Sequence, residues 1–457
     1  MGFCDFIERS LQTNEPEWNY YHTNIAADPS VNPEQSMEFI QSYFNNGQKG
    51  FAFVDLAEHA GPFMDRYFKA GAKYHVIDCG QNPELRLSNY RAIHTVSAFF
   101  LGVMLGKRLS NPLRSLQITS GYESFPFSYL WFLTCLYHDY GYVVEENLTP
   151  GRGEAPYPIE GAWGRRTITE YRYINYIRKK MKMTIPLYSF ESLHSRRDRF
   201  RMDRLNDWEI AIDRRVLYKL SQISPNLKRH GVRFNNGIEV NGFSYSSVDM
   251  ARYFNYCINE LDPPIFNHGI IGGHLFFDRM VKNYISAYLD RQHSEGWINN
   301  NFDGLEDFYY HNRHFCREQI PVFAYIADCI IAHNVWKADV KSENKYWKYG
   351  LDRLMGNNFS NLSFAKNPLL FILAVVDTIE PFKAYCSSEA TGNMARSVWQ
   401  SIDFSFNDGS LTVKSLKRAY PIHVLYERAK RLEDWVDIGP VEMRPDKQSF
   451  EIKMIPT

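Results

Sequence analysis

The sequence predicts a mainly α-helical fold, in which a helical core is interrupted by an inserted segment and followed by a small α+β C-terminal appendage. Apolar residues recur at helical spacing in several segments of a domain that spans residues 88–385. A charge-dense stretch at about 145–260 breaks this pattern and predicts the insertion. Beyond residue 398 the spacing changes to strand-like alternation, which predicts the appendage over 398–457. Residues 1–87 form an N-terminal extension with mixed signals.

The composition fits a large globular protein with no overall electrostatic attraction to nucleic acids or membranes. The chain has 457 residues, of which 44% are hydrophobic and 16% are aromatic, and this is enough for a substantial core. Basic and acidic residues number 52 each, so the formal net charge is zero. No signal-like N-terminus or apolar run of about 18 residues is present, so we expect a cytoplasmic protein without membrane contact. The seven scattered cysteines fit a reducing compartment and argue against a zinc–thiolate site.

Five helices are expected to build the core. They are predicted at residues 88–106, 124–138, 268–288, 318–336 and 368–380. The last has the clearest boundaries, because Asn367 can cap it, Pro368 fits its first turn and Pro381 ends it. In the appendage, alternation on both sides of Asn407-Asp408-Gly409 predicts a β-hairpin, which a helix at 420–435 and a strand at 450–455 follow.

Ionisable side chains lie within the most apolar of these helices. His94 lies in the middle of the first apolar helix, within RAIHTVSAFFLG, His333 follows the apolar run in IADCIIAHNVW, and Asp377 lies in FILAVVDTIEPF. An isolated charge in a core is too costly to remain ionised, so such groups need partners. No Arg or Lys lies within one helical turn of Asp377. We therefore expect imidazoles and carboxylates from separate helices to converge on a divalent cation.

Two further segments bring histidines to helix ends. His138-Asp139 closes an apolar helix in WFLTCLYHDYGY, although a His-Asp pair is a weak signal in a chain with 14 histidines. His268 begins the segment HGIIGGHLF. His274 follows it by six residues, which places it about 240° around the helix and off the ligand face. His274 is therefore interpreted as a structural or supporting residue.

In chain order, these residues resemble the ligand series of the HD superfamily of metal-dependent phosphohydrolases. HDYGY resembles the family's His-Asp-x-Gly element, HGIIGGHLF its helix with a glycine four residues after a metal-binding histidine, and ILAVVDTIE its closing Asp helix. The resemblance covers residues 88–385 apart from the insertion. It implies one metal site formed by His94, His138, Asp139 and Asp377, and a second completed by His268 and His333, with Asp139 bridging the two.

The resemblance implies hydrolysis of a phosphate ester by metal-activated water, with His138 and Asp139 at the catalytic centre. One or two divalent ions are the implied cofactors, with Mn, Mg, Fe, Co and Ni all open. The expected substrate is a small phosphorylated molecule of the nucleotide or cyclic-nucleotide type, acted on by a phosphomonoesterase or phosphodiesterase. Nucleic acid is a further substrate to test. The sequence gives no indication of the oligomeric state.

Four residues are predicted to contact the substrate. Tyr142 stands where many members of the family carry the lysine of His-Asp-x-Gly-Lys, so this chain lacks a cation that would contact phosphate. The full set is Tyr142, His311, His314 and Lys383, and ordinary surface positions are the alternative for the last three. The arginine-rich segment 196–215 is interpreted as a salt-bridged helix face, because aspartates interleave with its arginines; a phosphate-binding patch is the alternative.

Two other functions fit the same ligand series. The six residues also resemble those of the inositol oxygenase branch of the superfamily, which would make the protein a di-iron oxygenase. Iron content measured together with oxygen consumption distinguishes that chemistry from hydrolysis. A catalytically silent nucleotide sensor is the third hypothesis, favoured by Tyr142 and by the large appended segments. Cellular function that persists after Asp139→Ala would support the sensor.

Overall fold

The computed structural model describes several separate stretches of the chain. They are residues 89–110, 113–120, 123–125, 127–142, 144–145, 232–240, 265–277, 319–334, 362–386 and 397–454, with isolated positions at 253, 256, 257, 260, 261 and 348. The predicted N-terminal extension, the arginine-rich segment 196–215, His311 and His314 lie outside these residues. The expectations for them stay predictions.

The described residues form a mainly α-helical structure. Its core helices are α1 (Asn89–Leu109), α2 (Phe127–His138), α3 (residues 268–277), α4 (Gln319–Ala332) and α5 (Pro368–Ile379). Helix α2 packs against α1 and α4, and α5 packs against all three. Within this described part of the chain, no helix combines the length and the apolar character needed to cross a membrane.

Helix α5 has the boundaries that its sequence predicts. The backbone N–H of Leu370 donates to Asn367 Oδ1 at 3.1 Å, which confirms the expected N-cap. Every residue of α5 is buried, so this helix lies at the centre of the bundle. Glu380 ends it and also caps the short helix α6 (Pro381–Tyr385), because its carboxylate accepts the N–H groups of Phe382 and Lys383.

Helix α2 starts three residues later than predicted, because the chain before it forms a strand. This strand, β2 (Glu123–Phe125), pairs in antiparallel fashion with β1 (Ile118–Ser120). A second hairpin, β3 (Val232–Arg233) and β4 (Glu239–Val240), comes from the predicted insertion and joins β1 through a bridge between Ile118 and Phe234. Part of the inserted segment therefore pairs with β1 and packs against α4.

The C-terminal residues form an antiparallel sheet with one helix. The elements are β5 (Ile402–Asn407), β6 (Ser410–Ser415), α7 (His423–Lys430), β7 (Val441–Met443) and β8 (Ser449–Lys453), and the strand order is β5-β6-β8-β7. The predicted hairpin turn is confirmed, with positive φ angles of 47° at Asp408 and 75° at Gly409. The helix predicted at 420–435 is divided into α7 and a 3-10 turn, Arg431–Asp434.

The C-terminal unit is attached directly to the helical core. Helix α7 packs against α5 and α6, and the 3-10 turn after it also contacts α5. Leu362, which precedes α5, exchanges backbone hydrogen bonds with Trp435 at 3.0 Å and Asp437 at 2.7 Å. The unit therefore lies against the helix that carries Asp377.

Candidate metal centre

The six residues predicted as metal ligands lie together at the centre of the helical bundle. They are His94 on α1, His138 and Asp139 at the end of α2, His268 at the start of α3, His333 just after α4 and Asp377 in the last turn of α5. None is more than 7% exposed. Five helices thus direct ionisable side chains into one buried region.

The six side chains form two overlapping groups. The first consists of His94, His138, Asp139 and Asp377, and the second of Asp139, His268 and His333. Within each group the potential ligand atoms all lie within 4.8 Å of one another. Ligands about 2.1 Å from a shared cation lie about 3 to 4 Å apart, so this spacing suits a single metal ion per group. Asp139 belongs to both groups.

The shortest distances are in the first group. His94 Nε2 lies 3.1 Å from His138 Nε2 and 3.1 Å from Asp377 Oδ1. Asp139 Oδ2 lies 3.5 Å from the same His94 nitrogen. In the second group, Asp139 Oδ1 lies 3.7 Å from His268 Nε2. The two carboxylate oxygens of Asp139 therefore point towards different histidines.

Each of the four histidines has its Nδ1 fixed by an acceptor outside the two groups. The contacts are His94 to Glu380 at 2.8 Å, His268 to Glu145 at 3.0 Å, His138 to the carbonyl of Cys135 at 2.6 Å and His333 to the carbonyl of Ile330 at 2.5 Å. Carbonyls and carboxylates only accept hydrogen bonds, so Nδ1 carries the proton in each ring. In a neutral ring, Nε2 then carries no proton and has a lone pair free to bind a cation. This is the arrangement of metal-binding histidines and their supporting partners.

These lone pairs need a cation near them. Two imidazole lone pairs 3.1 Å apart, as in His94 and His138, repel each other unless positive charge lies between them. In the chain without metal, a proton supplies that charge. Burial lowers the pKa of His94, but hydrogen bonds to Asp377 and Glu380 and the charge of Asp139 outweigh it and raise the pKa to about 9. A divalent cation can replace this proton.

The second group contains two nitrogens that a metal would satisfy. In the part of the chain that the structure describes, the buried Nε2 atoms of His268 and His333 have no hydrogen-bond partner. Buried polar atoms are nearly always paired. Burial, together with the neighbouring His268 and His138, lowers the pKa of His333 to about 3, which keeps its ring neutral and able to bind a metal. The residues of both groups therefore fit divalent cations.

Asp377 has a nearby cation, contrary to the expectation from the sequence. Lys383 lies six residues later, but the chain turns at Glu380, and Lys383 Nζ reaches Asp377 Oδ1 at 2.7 Å. Burial alone would raise the pKa of Asp377. The Lys383 ammonium and the hydrogen bond from protonated His94 hold that pKa well below its usual range. Asp377 is therefore an ionised ligand candidate.

A cavity of about 600 Å³ lies beside the two groups, with His268 and Asp377 on its wall. Tyr142 and Lys383, two of the four predicted substrate contacts, also line it. The Tyr142 ring stacks on the His268 imidazole, with centroids 3.7 Å apart. The cavity therefore borders both groups directly.

Several residues of the site were missed from the sequence. Glu380 is fully buried and holds His94, and Ser97 Oγ also donates to its carboxylate. Glu145 accepts both the ring and the backbone N–H of His268. Glu380 follows Asp377 by three residues on the same apolar segment, and that position was its only sequence signal. No such signal marked Glu145.

The metal-free protein is expected to be most stable near pH 6.5. The folded pKa of His94 is about 9, above the ordinary value of 6.5, so its contribution is complete below 6.5 and is lost as pH rises through 9. The loss is about 3 kcal/mol. Burial lowers the pKa values of His274 and His333 to about 3, so their contributions are lost as pH falls from 6.5 towards 3. Denaturant unfolding of chelator-treated protein across this range measures the effect. An equal free energy of unfolding at pH 6.5 and 9 would contradict it.

Glu380→Gln is expected to weaken metal binding about 10- to 100-fold, because His94 loses the carboxylate that orients it and raises its basicity. The glutamine oxygen can still accept the N–H of Phe382, whereas the N–H of Lys383 loses its acceptor, so thermal unfolding is measured beside the affinity to establish that the variant is folded. Competition with a chromogenic chelator measures the affinity. Glu433→Gln is the matched control, since Glu433 pairs with Lys430 at 2.7 Å and lies outside both groups. Unchanged affinity in Glu380→Gln would show that Glu380 does not support the site.

Comparison with known proteins gives no family assignment: no protein-family model, no curated protein and no solved structure matches the chain.

Proposed function

We propose that this protein is a metal-dependent phosphohydrolase of the HD superfamily that acts on a nucleotide-like phosphate ester. The proposal depends on the arrangement of four histidines. Their Nε2 atoms converge on Asp139 and Asp377, while their Nδ1 atoms are hydrogen-bonded to acceptors outside the two groups. Asp139 is shared by both groups, as a bridging ligand between two metals would be. A cytoplasmic location and the nucleotide character of the substrate stay predictions.

The residues of the site have complementary roles in this proposal. A divalent cation bound there would act as a Lewis acid on a phosphoryl oxygen and lower the pKa of a water molecule. Asp139 and Asp377 provide the negative charge that retains the cation. Glu380 and Glu145 hold two of the imidazoles in position. The six side chains are at most 7% exposed, and this low exposure strengthens the electrostatic interactions among them.

The position of Lys383 favours phosphate as the group that the cavity binds. The sequence departs from the family pattern at Tyr142, where a lysine is expected. In the folded chain, Lys383 from α6 lies on the wall of the same cavity and contacts Asp377. An ammonium group at this position can donate to a phosphate oxygen. We infer that Lys383 takes the role of the missing lysine.

The proposal is tested with protein that is depleted of metal and reloaded separately with Mn²⁺, Mg²⁺, Co²⁺, Ni²⁺ or Fe²⁺. Each form is assayed with aryl phosphate mono- and diesters, nucleotides and cyclic nucleotides. We expect hydrolysis that requires metal and is lost in His94→Gln. His274→Gln is the control, because His274 is buried but belongs to neither group. If metal binds and no phosphate ester is hydrolysed, the phosphohydrolase proposal is wrong.

The composition of the ligand set favours a di-iron oxygenase as a second candidate. Four histidines and two aspartates suit iron as well as the other metals. Iron retained at two equivalents, together with substrate-dependent oxygen consumption and no phosphate release, would support the oxygenase. The positive side chains on the cavity wall favour an anionic substrate such as a phosphate ester. They therefore favour hydrolysis over the oxygenase reaction.

A further inference from the structure

The C-terminal unit places two arginines on the wall of the cavity beside the two groups of candidate metal ligands. Arg428 lies in the last turn of α7, and Arg431 begins the 3-10 turn that follows it. Both line the cavity together with Lys383. Three positive side chains, from two separate parts of the chain, therefore surround one space.

Neither arginine is neutralised in the part of the chain that the structure describes. Arg444 and Arg233, by contrast, form ion pairs with glutamates at 2.9 and 3.1 Å. Arg428 and Arg431 form no such pair among the described residues, and the Nη1 atom of Arg428 is buried without a hydrogen-bond acceptor. A buried guanidinium donor that lacks an acceptor is costly. An anionic ligand would remove that cost.

The acidic groups of the cavity wall have other partners. Glu145 accepts hydrogen bonds from His268, and Asp377 pairs with Lys383 and His94. These carboxylates are directed to the metal groups. The positive charge of the two arginines is therefore available to a ligand.

The fold fixes the position of the arginines. Leu425 and Ala429 of α7 are fully buried, and α7 packs against α5, which carries Asp377. Glu433, in the 3-10 turn, accepts the backbone N–H of Val441 at 2.6 Å and so connects the turn to β7. A guanidinium group held in this way can form paired hydrogen bonds with a phosphate.

We propose that Arg428 and Arg431 bind a second phosphate of the substrate, separate from the phosphate that reacts at the metal groups. The substrate class is then a bisphosphate or an oligophosphate compound. This inference rests on the proposed function, and it makes the C-terminal unit part of the substrate site. The cavity, at about 600 Å³, falls within the usual volume range for small-molecule sites.

The proposal is tested with two non-hydrolysable probes, methylphosphonate and methylenediphosphonate, which carry one and two phosphonate groups. Binding to the full metal-loaded chain is measured by isothermal titration calorimetry. We expect methylenediphosphonate to bind more tightly, and Arg428→Gln and Arg431→Gln each to weaken it about tenfold. Affinity for methylphosphonate is expected to stay within about twofold of that of the wild type.

Arg444→Gln is the matched control, because it removes the same charge from the same unit but outside the cavity. It should leave both affinities unchanged. Arg431 is exposed, so Arg431→Gln tests the proposal even if Arg428→Gln fails to fold. Equal losses for both probes, or an equal loss in Arg444→Gln, would overturn the proposal.

The outcome separates this inference from the proposed function. Metal-dependent hydrolysis without a difference between the probes would refute the second phosphate site alone. The protein could also bind methylenediphosphonate more tightly than methylphosphonate in a way that depends on the arginines, yet hydrolyse no phosphate ester. That result would support the anion site and refute the phosphohydrolase proposal.

Discussion

Asp139→Asn is expected to remove metal from both groups and to abolish metal-dependent hydrolysis. Asp139 is the only residue shared by the two groups found among the described residues, and its two oxygens lie 3.5 Å from His94 Nε2 and 3.7 Å from His268 Nε2. A neutral amide keeps the shape but lacks the charge that retains a cation. Loss of a supporting residue costs about 10- to 100-fold in metal affinity, so loss of this ligand should cost more than about 100-fold.

Metal affinity and hydrolysis rate are measured on the same preparations of the variant. Asp328→Asn is the control, since Asp328 is buried on α4 but belongs to neither group. Far-ultraviolet circular dichroism and thermal unfolding establish that each variant is folded. If Asp139→Asn binds metal as the wild type does, Asp139 is not a bridging ligand.

Gly141→Ala is expected to have the largest effect on stability. A Cβ atom at Gly141 would lie 1.9 Å from the carbonyl oxygen of His268 and 2.7 Å from the backbone nitrogen of Gly272. Both are backbone atoms of α3, so the helix itself would have to move. Overpacking usually costs about 1 to 3 kcal/mol, and we expect this backbone clash to cost at least about 3 kcal/mol. The movement would also displace His268 from Asp139.

Denaturant unfolding measures the free energy of the Gly141 variant, and metal titration shows whether the second group is lost. Gly237→Ala provides the comparison. Gly237 has a φ of +90°, but a Cβ atom added there would meet no atom within 4 Å. The only expected cost is that of holding alanine at a positive φ, about 1 kcal/mol. A free energy of unfolding for Gly141→Ala no lower than that for Gly237→Ala would show that α3 does not need the glycine.

The features that the sequence predicted well depend on local chemistry. Asn367 and Pro368 define the start of α5 because capping and φ preference act within one turn. His94, His333 and Asp377 could be singled out because each interrupts an apolar face, and the structure brings all three to one buried region.

The features that the sequence did not predict depend on contacts between distant segments. Glu380 supports His94 across 286 residues, and periodicity carries no information about such a contact. Lys383 reaches Asp377 because the chain turns at Glu380 between two helices. Arg428 lines the cavity only because the C-terminal unit packs on α5.

Metal content per chain tests most directly whether the six side chains hold a cation. The full chain is equilibrated with each candidate divalent metal, desalted and measured by elemental analysis beside its protein concentration. We expect one or two equivalents in the wild type and in His274→Gln, about one fewer in His333→Gln if two are bound, and loss of the first-group metal in His94→Gln. Folded wild-type protein that retains far less than one equivalent of every metal would contradict the metal site.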